Sequence, residues 1–279
     1  MTKINSFIKN HPLPAFFILT FLISWGGVLI LGAPHGMPTT SENFEKLYPI
    51  VFLPYLLGPL VSGLIMIGLV EGKTGYQQLF ERLVTWRVKL KWYALALLTA
   101  PLLSLIILGA LSLHSPDFLP ALITADEKLP LLLTGVMIGL FGGGLMEEPG
   151  WTGFAVPRLR ERASVLKTGL VVGFLWGIWH FLPTYWGSGD SSGKLSPALL
   201  LPPLFFYLAV LPAYRLLMVF VFDRTQSLLV VMFMHASLTA SSLFIFAPAV
   251  QGARLLLYYF VLAVVLWLIA AAILIPEQT

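Results

Sequence analysis

Eight long apolar stretches divide the chain, and they constrain its fold more than any other feature of the sequence. A helix that crosses a bilayer needs about 20 mostly apolar residues, and each stretch meets or approaches that length. The stretches lie at residues 13–33, 48–70, 92–113, 130–156, 168–186, 197–221, 227–247 and 252–275. We therefore predict an all-α, polytopic membrane protein of about eight transmembrane helices, with residues 1–279 forming a single integral-membrane domain.

The small number of charged residues excludes a soluble enzyme. Only 11% of the residues are Asp, Glu, Lys or Arg, whereas a soluble domain carries about 25%. With 58% hydrophobic residues and a mean hydropathy of +0.87, the protein surface could not stay hydrated in water. The sequence contains no cysteine, so any metal must bind to His, Asp or Glu.

The basic residues indicate which side of the membrane each loop occupies, because Lys and Arg are retained on the cytoplasmic side. With the N-terminus inside, thirteen of them fall on the inner side or at inner helix ends: Lys3, Lys9, Lys73, Arg82, Arg87, Lys89, Lys91, Arg158, Arg160, Arg162, Lys167, Arg215 and Arg224. The other four, Lys46, Lys128, Lys194 and Arg254, then lie outside. We predict that both termini are cytoplasmic. The modest net charge of +4 gives no indication of a nucleic-acid partner.

Three ionisable side chains lie deep inside the predicted helices. Counted from the nearest inner basic residue, Glu147 and His235 lie about 16 Å deep and His180 about 20 Å deep, at ~1.5 Å per residue. The centre of the hydrocarbon layer lies at about 15 Å. Ionisable residues at that depth are costly and are functional by default, so we predict that the three converge in one site. The alternative is that they only form hydrogen bonds between helices.

Small residues and helical phase support this convergence. Three glycines recur every four residues before His180, at Gly169, Gly173 and Gly177. Such a stripe lets another helix approach closely, and it shares a face with His180. Trp176 lies one turn before His180 and can pack beside its imidazole. Pro149 should disturb the hydrogen-bond ladder at Glu147 and push the backbone of Glu148 away from helical geometry.

Two kinds of chemistry fit these residues. Glu147, His180 and His235 are a ligand set suited to zinc or another divalent metal, with water as the fourth ligand. The same residues suit a metal-free scheme, in which Glu147 is the general base toward water and the imidazoles donate to the oxyanion. The sequence has no H-E-x-x-H, G-x-S-x-G or P-loop pattern, so serine-type and nucleotide chemistry have no support.

Three segments carry these residues in a fixed order: MEEPGWTGFAVPRL, FLWGIWHFLPTYW and LMVFVFDRTQSLLVVMFMHASLTAS. Their combination, within a core at about 140–247, resembles the CPBP intramembrane proteases. That family contains the type II CAAX prenyl endopeptidases and the bacteriocin self-immunity proteins. The resemblance implies a multi-pass peptidase whose cavity is reached from the cytoplasmic side. It also implies that the substrate is a peptide or a lipid-modified protein and that membrane lipids are partners. The implied location is the plasma membrane of a prokaryote.

The resemblance assigns roles to individual residues. Glu147 would activate the attacking water, and Glu148 would support Glu147. His180 and His235 would bind a metal or polarise the substrate carbonyl. We therefore predict that the protein is an intramembrane endopeptidase, which hydrolyses a peptide bond of a membrane-associated substrate.

Two positions depart from the family pattern. Thr152 stands where the first motif usually has Arg, and a threonine cannot form the forked hydrogen-bond pair of a guanidinium. Thr239 stands where the third motif usually has Asn, and it offers one hydroxyl donor on the same helix face as His235 and Ser242. We expect Thr239 to be part of the catalytic site, and Thr152 and Trp176 to support it or contact substrate.

The main alternative function is a non-catalytic immunity or partner-binding protein built on the same scaffold. A transporter that uses the buried carboxylate as a proton site is a further alternative. Transport would predict inverted repeats with matched broken helices. The sequence has one Pro-Gly break near the carboxylates and no counterpart in its first half.

Overall fold

A computed structural model describes residues 8–274, and that range folds into helices without a β-strand. Eight helical segments within it are long and apolar enough to cross a membrane. They are span 1, Pro12–His35; span 2, Ser41–Val70; span 3, Leu90–Ser112; span 4, Lys128–Arg160; span 5, Val165–Trp186; span 6, Pro197–Thr225; span 7, Leu228–Ile245; and span 8, Ala253–Leu274. The predicted all-α fold with eight spans is confirmed.

The ends of the helices differ from the predicted ends where local capping decides them. Span 2 begins at Ser41 rather than near residue 48, because the Thr40 side chain caps the helix. Its hydroxyl oxygen accepts a hydrogen bond from the backbone N–H of Asn43. An amphipathic helix, Lys73–Leu83, lies between spans 2 and 3. Short turns occur at Ala33–His35, Pro116–Phe118 and Ala121–Thr124.

Four segments within the spans adopt π-helical geometry, which often marks functional sites. They are Gly139–Leu145, Trp151–Ala155, Phe206–Val210 and Ser241–Ile245. The first two flank a single α-helical turn, Met146–Gly150, which carries both glutamates. The hydrogen-bond ladder is therefore disturbed around Pro149, as predicted. The prediction that Glu148 leaves helical geometry is wrong, because the extra residue is absorbed by the π segments on either side.

The glycine stripe of span 5 packs against span 6, as the sequence predicts. A Cβ atom on Gly173 would lie 2.7 Å from Cα of Pro212, and one on Gly169 would lie 2.9 Å from Cα of Leu216. Both distances are shorter than a non-bonded contact allows, so only glycine permits this approach.

Span 4 makes two similarly close contacts around its glutamates. A Cβ on Gly150 would overlap the backbone of Pro59 in span 2. A Cβ on Gly144 would lie 3.0 Å from the carbonyl oxygen of Met232 in span 7. Spans 2 and 7 are thereby held against the turn that carries the glutamates.

Span 6 lies at the centre of the bundle. Every residue from 211 to 219 is buried, including the charged Arg215. Spans 5 and 7 pack on it, and their central residues are also buried. The site therefore forms where spans 4, 5, 6 and 7 meet.

Candidate active site

Glu147 lies at the inner end of a cavity and is held by two indole groups. Its side chain is nearly buried, with 4% of the residue exposed. Oε2 accepts hydrogen bonds from Nε1 of Trp176 at 2.7 Å and from Nε1 of Trp151 at 3.2 Å. The other oxygen, Oε1, faces His235. Both indole bonds fix the orientation of the carboxylate and leave Oε1 to act on a ligand.

Glu148 points away from Glu147, into a fully buried ion pair. Arg215 donates from Nη1 to Oε2 and from Nη2 to Oε1, each at 2.9 Å. The hydroxyl of Thr152 also donates to Oε2, and Nδ1 of His235 contacts Oε1 at 2.6 Å. Both Glu148 and Arg215 are 0% exposed. Every lone-pair direction of this carboxylate therefore has a donor, which is the condition for a stable buried charge.

The predicted position of Arg215 at an inner helix end is wrong. Arg215 lies within span 6, with its guanidinium 4.1 Å from the centre of the Trp176 ring. Removing it leaves twelve basic residues on the predicted inner side, against four outside. An arginine inside an apolar helix is itself a signal for a functional site, and this signal could have identified it.

His235 connects the two glutamates. Because a carboxylate can only accept, Nδ1 of His235 donates its proton to Glu148, and this bond fixes the ring. Nε2 then lies 3.9 Å from Oε1 of Glu147. That separation is too long for a direct hydrogen bond and suits a bridging water or a substrate oxygen. Trp176 packs edge-on against the imidazole, with ring centroids 4.8 Å apart.

His180 lies in the wall of the same cavity. It is oriented by the Trp176 carbonyl and the Tyr207 ring, whereas His235 is oriented by Glu148. Nδ1 lies 2.8 Å from the carbonyl oxygen of Trp176, so this nitrogen is the donor. The ring stacks on Tyr207, with centroids 4.2 Å apart and planes 15° apart. The predicted contact with Trp176 is present as an edge-on packing at 6.0 Å.

The arrangement does not form the three-ligand zinc site that the sequence allows. Glu147 and His235 approach each other, whereas His180 is turned toward the Trp176 carbonyl and Tyr207. Within residues 8–274, no three His, Asp or Glu side chains converge in a geometry that could hold a metal ion. A zinc site requires at least three such ligands around one point.

A cavity of about 520 Å³, which we call the chamber, reaches Glu147. Its polar lining consists chiefly of Glu147, His180, Thr184, His235, Thr239 and Ser242, and the rest is mostly aromatic and aliphatic. The predicted face of span 7, with His235, Thr239 and Ser242, thus lines the chamber. A Cβ on Gly143 would lie 2.7 Å from Oγ1 of Thr239 and 2.9 Å from Nε2 of His235, so a glycine is required beside them.

Two buried hydroxyl groups in the chamber wall have no hydrogen-bond partner within the described chain, Tyr55 Oη and Ser242 Oγ. Tyr55 is held rigidly by stacking on Trp179, with ring centroids 4.0 Å apart. Unpartnered buried hydroxyls are uncommon in folded proteins. Both hydroxyls can therefore form hydrogen bonds with a polar group in the chamber.

Comparison with known proteins gives two findings. Residues 128–241 match the family model described as type II CAAX prenyl endopeptidase, Rce1-like. The chain is also 24% identical over 217 residues to the CAAX prenyl protease 2 of Methanococcus maripaludis, and the alignment covers 75% of each protein. The matched region contains all the residues of the two carboxylate networks described above.

Proposed function

We propose that the chain is an intramembrane protease of the CPBP family and that it activates water with Glu147. As a member of that family, the protein is a multi-pass membrane endopeptidase. One observation carries the proposal: Oε1 of Glu147 faces Nε2 of His235 across 3.9 Å at the end of the chamber. One water can bridge these two groups, and the adjoining chamber has room for a peptide carbonyl.

In the proposed reaction, Glu147 is the general base. A water bound to Oε1 attacks the carbonyl carbon of the substrate peptide, and Glu147 takes one of its protons. When the carbon–nitrogen bond breaks, Glu147 passes this proton to the leaving amine. The indole groups of Trp151 and Trp176 hold the carboxylate in place through both steps.

His235 is proposed to stabilise the oxyanion. With Nδ1 bonded to Glu148, a protonated ring presents its second proton from Nε2 toward the chamber.

His180 and Thr239 are proposed to bind the substrate backbone. His180 donates from Nδ1 to the carbonyl of Trp176, so a neutral ring offers Nε2 as an acceptor for a peptide N–H. The Thr239 hydroxyl lies beside Nε2 of His235 in the chamber and can donate to the same oxyanion. The unpartnered hydroxyls of Tyr55 and Ser242 can accept or donate to neighbouring peptide groups.

The proposed mechanism uses no metal. It is supported by the geometry of the three predicted ligands, since Glu147 and His235 approach each other but His180 is turned away. Protein purified in the presence of a chelator should keep its activity. Loss of activity on chelation, followed by recovery with one equivalent of zinc, would instead support the metal alternative.

The substrate is proposed to be a membrane-associated peptide or a lipid-modified protein, as the relatives' names suggest. We also propose that both termini are cytoplasmic, that the protein lies in the plasma membrane, and that residues 1–279 form one domain. The twelve-to-four distribution of basic residues, with Arg215 excluded, supports the orientation.

The test is a cleavage assay in liposomes with two quenched fluorescent probes: a farnesylated peptide with a CAAX terminus and an unmodified transmembrane peptide. Glu147→Gln should lower the rate by roughly 10²–10⁴-fold, the usual contribution of a general base. Glu161→Gln is the matched control, because Glu161 is exposed beyond the end of span 4. Equal rates for Glu147→Gln and wild type would overturn the proposal.

A further inference from the structure

A second pocket lies at the end of the bundle where span 3 begins and span 6 ends. Its volume is about 430 Å³, and we call it the basic pocket. It is lined by Arg87, Val88, Lys89, Lys91, Trp92, Arg224 and Thr225. Four of these residues are basic, and no carboxylate is among the described lining residues. None of them lines the chamber, so the basic pocket is separate from the proposed active site.

Two side-chain hydrogen bonds hold the segment that leads into span 3. The hydroxyl of Ser227, just before span 7, donates to the carbonyl oxygen of Thr85 at 2.6 Å. The hydroxyl of Tyr93, in span 3, donates to the carbonyl oxygen of Trp86 at 2.7 Å. The backbone beside the basic pocket is therefore fixed before a ligand binds, which lowers the entropy cost of binding.

Two packed aromatic rings bring cations of different spans together. Trp92 of span 3 packs edge-on against Phe220 of span 6, with ring centroids 5.8 Å apart. Nζ of Lys91 lies 4.9 Å from the centre of the Trp92 ring. Cζ of Arg224 lies 5.4 Å from the centre of the Phe220 ring. The contact between the rings therefore places a lysine and an arginine at the same pocket.

Three cations of the basic pocket lack an anionic partner in the part of the chain that the structure describes. Arg87, Lys89 and Lys91 form no ion pair with a carboxylate there. Asp223, beside the pocket in the sequence, is instead paired with Arg160 at 2.8 Å. Like charges around one pocket repel each other, and a bound anion offsets that repulsion. Lysine and arginine together suit a phosphate, which accepts hydrogen bonds through several oxygens.

The position of the basic pocket indicates that the phosphate belongs to a lipid. The pocket lies where two spans end, which is the level of the phospholipid headgroups. Trp86 and Leu90, which adjoin the pocket residues in the sequence, are 58% and 80% exposed. Trp is enriched at the membrane interface, and Leu is favoured in the apolar layer. A lipid covers these side chains with its acyl chains, whereas a free phosphate leaves them exposed.

We infer that the basic pocket binds the headgroup of an anionic phospholipid, with its phosphate between the cations of spans 3 and 6. Basic pockets between transmembrane helices bind lipid headgroups in this way. The inference concerns residues outside the proposed active site, so it does not depend on the role of Glu147. It also holds whichever side of the membrane this end of the bundle faces.

Native mass spectrometry of the full-length protein in a mild detergent counts bound lipids directly. The probes are phosphatidylglycerol, phosphatidylcholine and diacylglycerol with the same acyl chains, and glycerol phosphate as the soluble phosphate ester. We expect one phosphatidylglycerol to bind more tightly than any other probe. The triple variant Arg87→Gln/Lys89→Gln/Lys91→Gln should weaken this binding on the order of 100-fold, because it removes three attractions to the headgroup.

The matched control is Lys73→Gln/Arg162→Gln/Lys167→Gln. It removes the same charge from exposed positions at the same end of the bundle, outside the basic pocket. It should bind phosphatidylglycerol as tightly as wild type. If the pocket variant does not fold, Lys91→Gln alone should weaken binding, whereas Lys91→Arg, which keeps the charge, should not.

Three results would overturn the inference. Equal losses of affinity in the two triple variants would mean that general surface charge attracts the lipid. Equal affinities for phosphatidylglycerol and phosphatidylcholine would mean that the negative charge of the headgroup is not recognised. Glycerol phosphate that binds as tightly as phosphatidylglycerol would mean that the site takes a soluble phosphate ester rather than a lipid.

Discussion

Nη1 of Arg215, on span 6, lies 3.4 Å from Oγ1 of Thr152, on span 4, and both groups donate to the same carboxylate oxygen of Glu148. Position 152 is where the first family motif usually has an arginine. Here the guanidinium comes from another helix, and the threonine at position 152 leaves space for it and adds a hydroxyl donor. The departure from the motif therefore does not leave Glu148 without a positive partner.

Arg215→Met should abolish activity and destabilise the protein by about 3–5 kcal/mol, because it leaves Glu148 charged, buried and without its main partner. Thermal unfolding in detergent and the liposome cleavage assay measure the two effects. Arg162→Met removes the same charge at an exposed position and should change neither.

Rescue separates the role of the charge at Glu148 from a general effect on folding. The double variant Thr152→Arg/Arg215→Met returns a guanidinium to span 4 and should recover part of the activity and stability lost in Arg215→Met. Thr152→Arg alone should be harmful, since two guanidinium groups would then compete for one carboxylate. A Thr152→Arg protein as stable and active as wild type would contradict this account.

Trp176→Phe should lower kcat, since it removes the 2.7 Å hydrogen bond to Glu147 and keeps an aromatic ring in the core. A hydrogen bond to a charged group is worth about 1.5–3 kcal/mol, so the expected loss is roughly 10- to 100-fold. Trp179→Phe is the matched control, because Trp179 is equally buried but its Nε1 has no partner within the described residues. Equal losses in the two variants would mean that ring packing, rather than the bond to Glu147, supports activity.

Thr239→Asn should raise the cleavage rate. The asparagine amide would offer two donors beside His235, where Thr239 offers one, and a single oxyanion donor is worth roughly 10²–10³ in rate in other hydrolases. Thr239→Ser keeps the hydroxyl and should leave the rate close to that of wild type. A lower rate for Thr239→Asn, with normal membrane levels, would remove Thr239 from the proposed oxyanion site.

Gly177→Ala should reduce both stability and activity. Its new methyl group would overlap the backbone oxygen of Tyr207, whose ring stacks on His180. Overpacking of this kind costs about 1–3 kcal/mol. Gly109→Ala is the control, because nothing lies within 4 Å of a Cβ at that helical position. Similar melting temperatures for the two variants would contradict the packing argument.

The sequence was sufficient to predict the fold class and the eight spans, because the length of an apolar stretch is set by the thickness of the bilayer. The approach of Glu147 to His235 followed from their common depth in the membrane. The indole donors to Glu147 could not be predicted, because one depends on the π segment that begins at Trp151 and the other comes from Trp176 on a different span.

Arg215 shows a different limit of sequence reasoning. Counting basic residues by loop assumes that each lies at a helix end, and Arg215 lies within a span only ten positions before Thr225, where span 6 ends. Its partner, Glu148, is distant in the sequence, so helical spacing within one span could not reveal the pair.

The central claim is that Glu147 and His235 act as one catalytic unit across a gap of 3.9 Å. The most direct test is a double-mutant cycle that measures the cleavage rate of Glu147→Gln, His235→Gln and the double variant in liposomes. If the two residues form one unit, the double variant should be no slower than the slower single variant, since parts of a unit fail together. Rate losses that multiply in the double variant, or a Glu147→Gln protein that cleaves as fast as wild type, would contradict the claim.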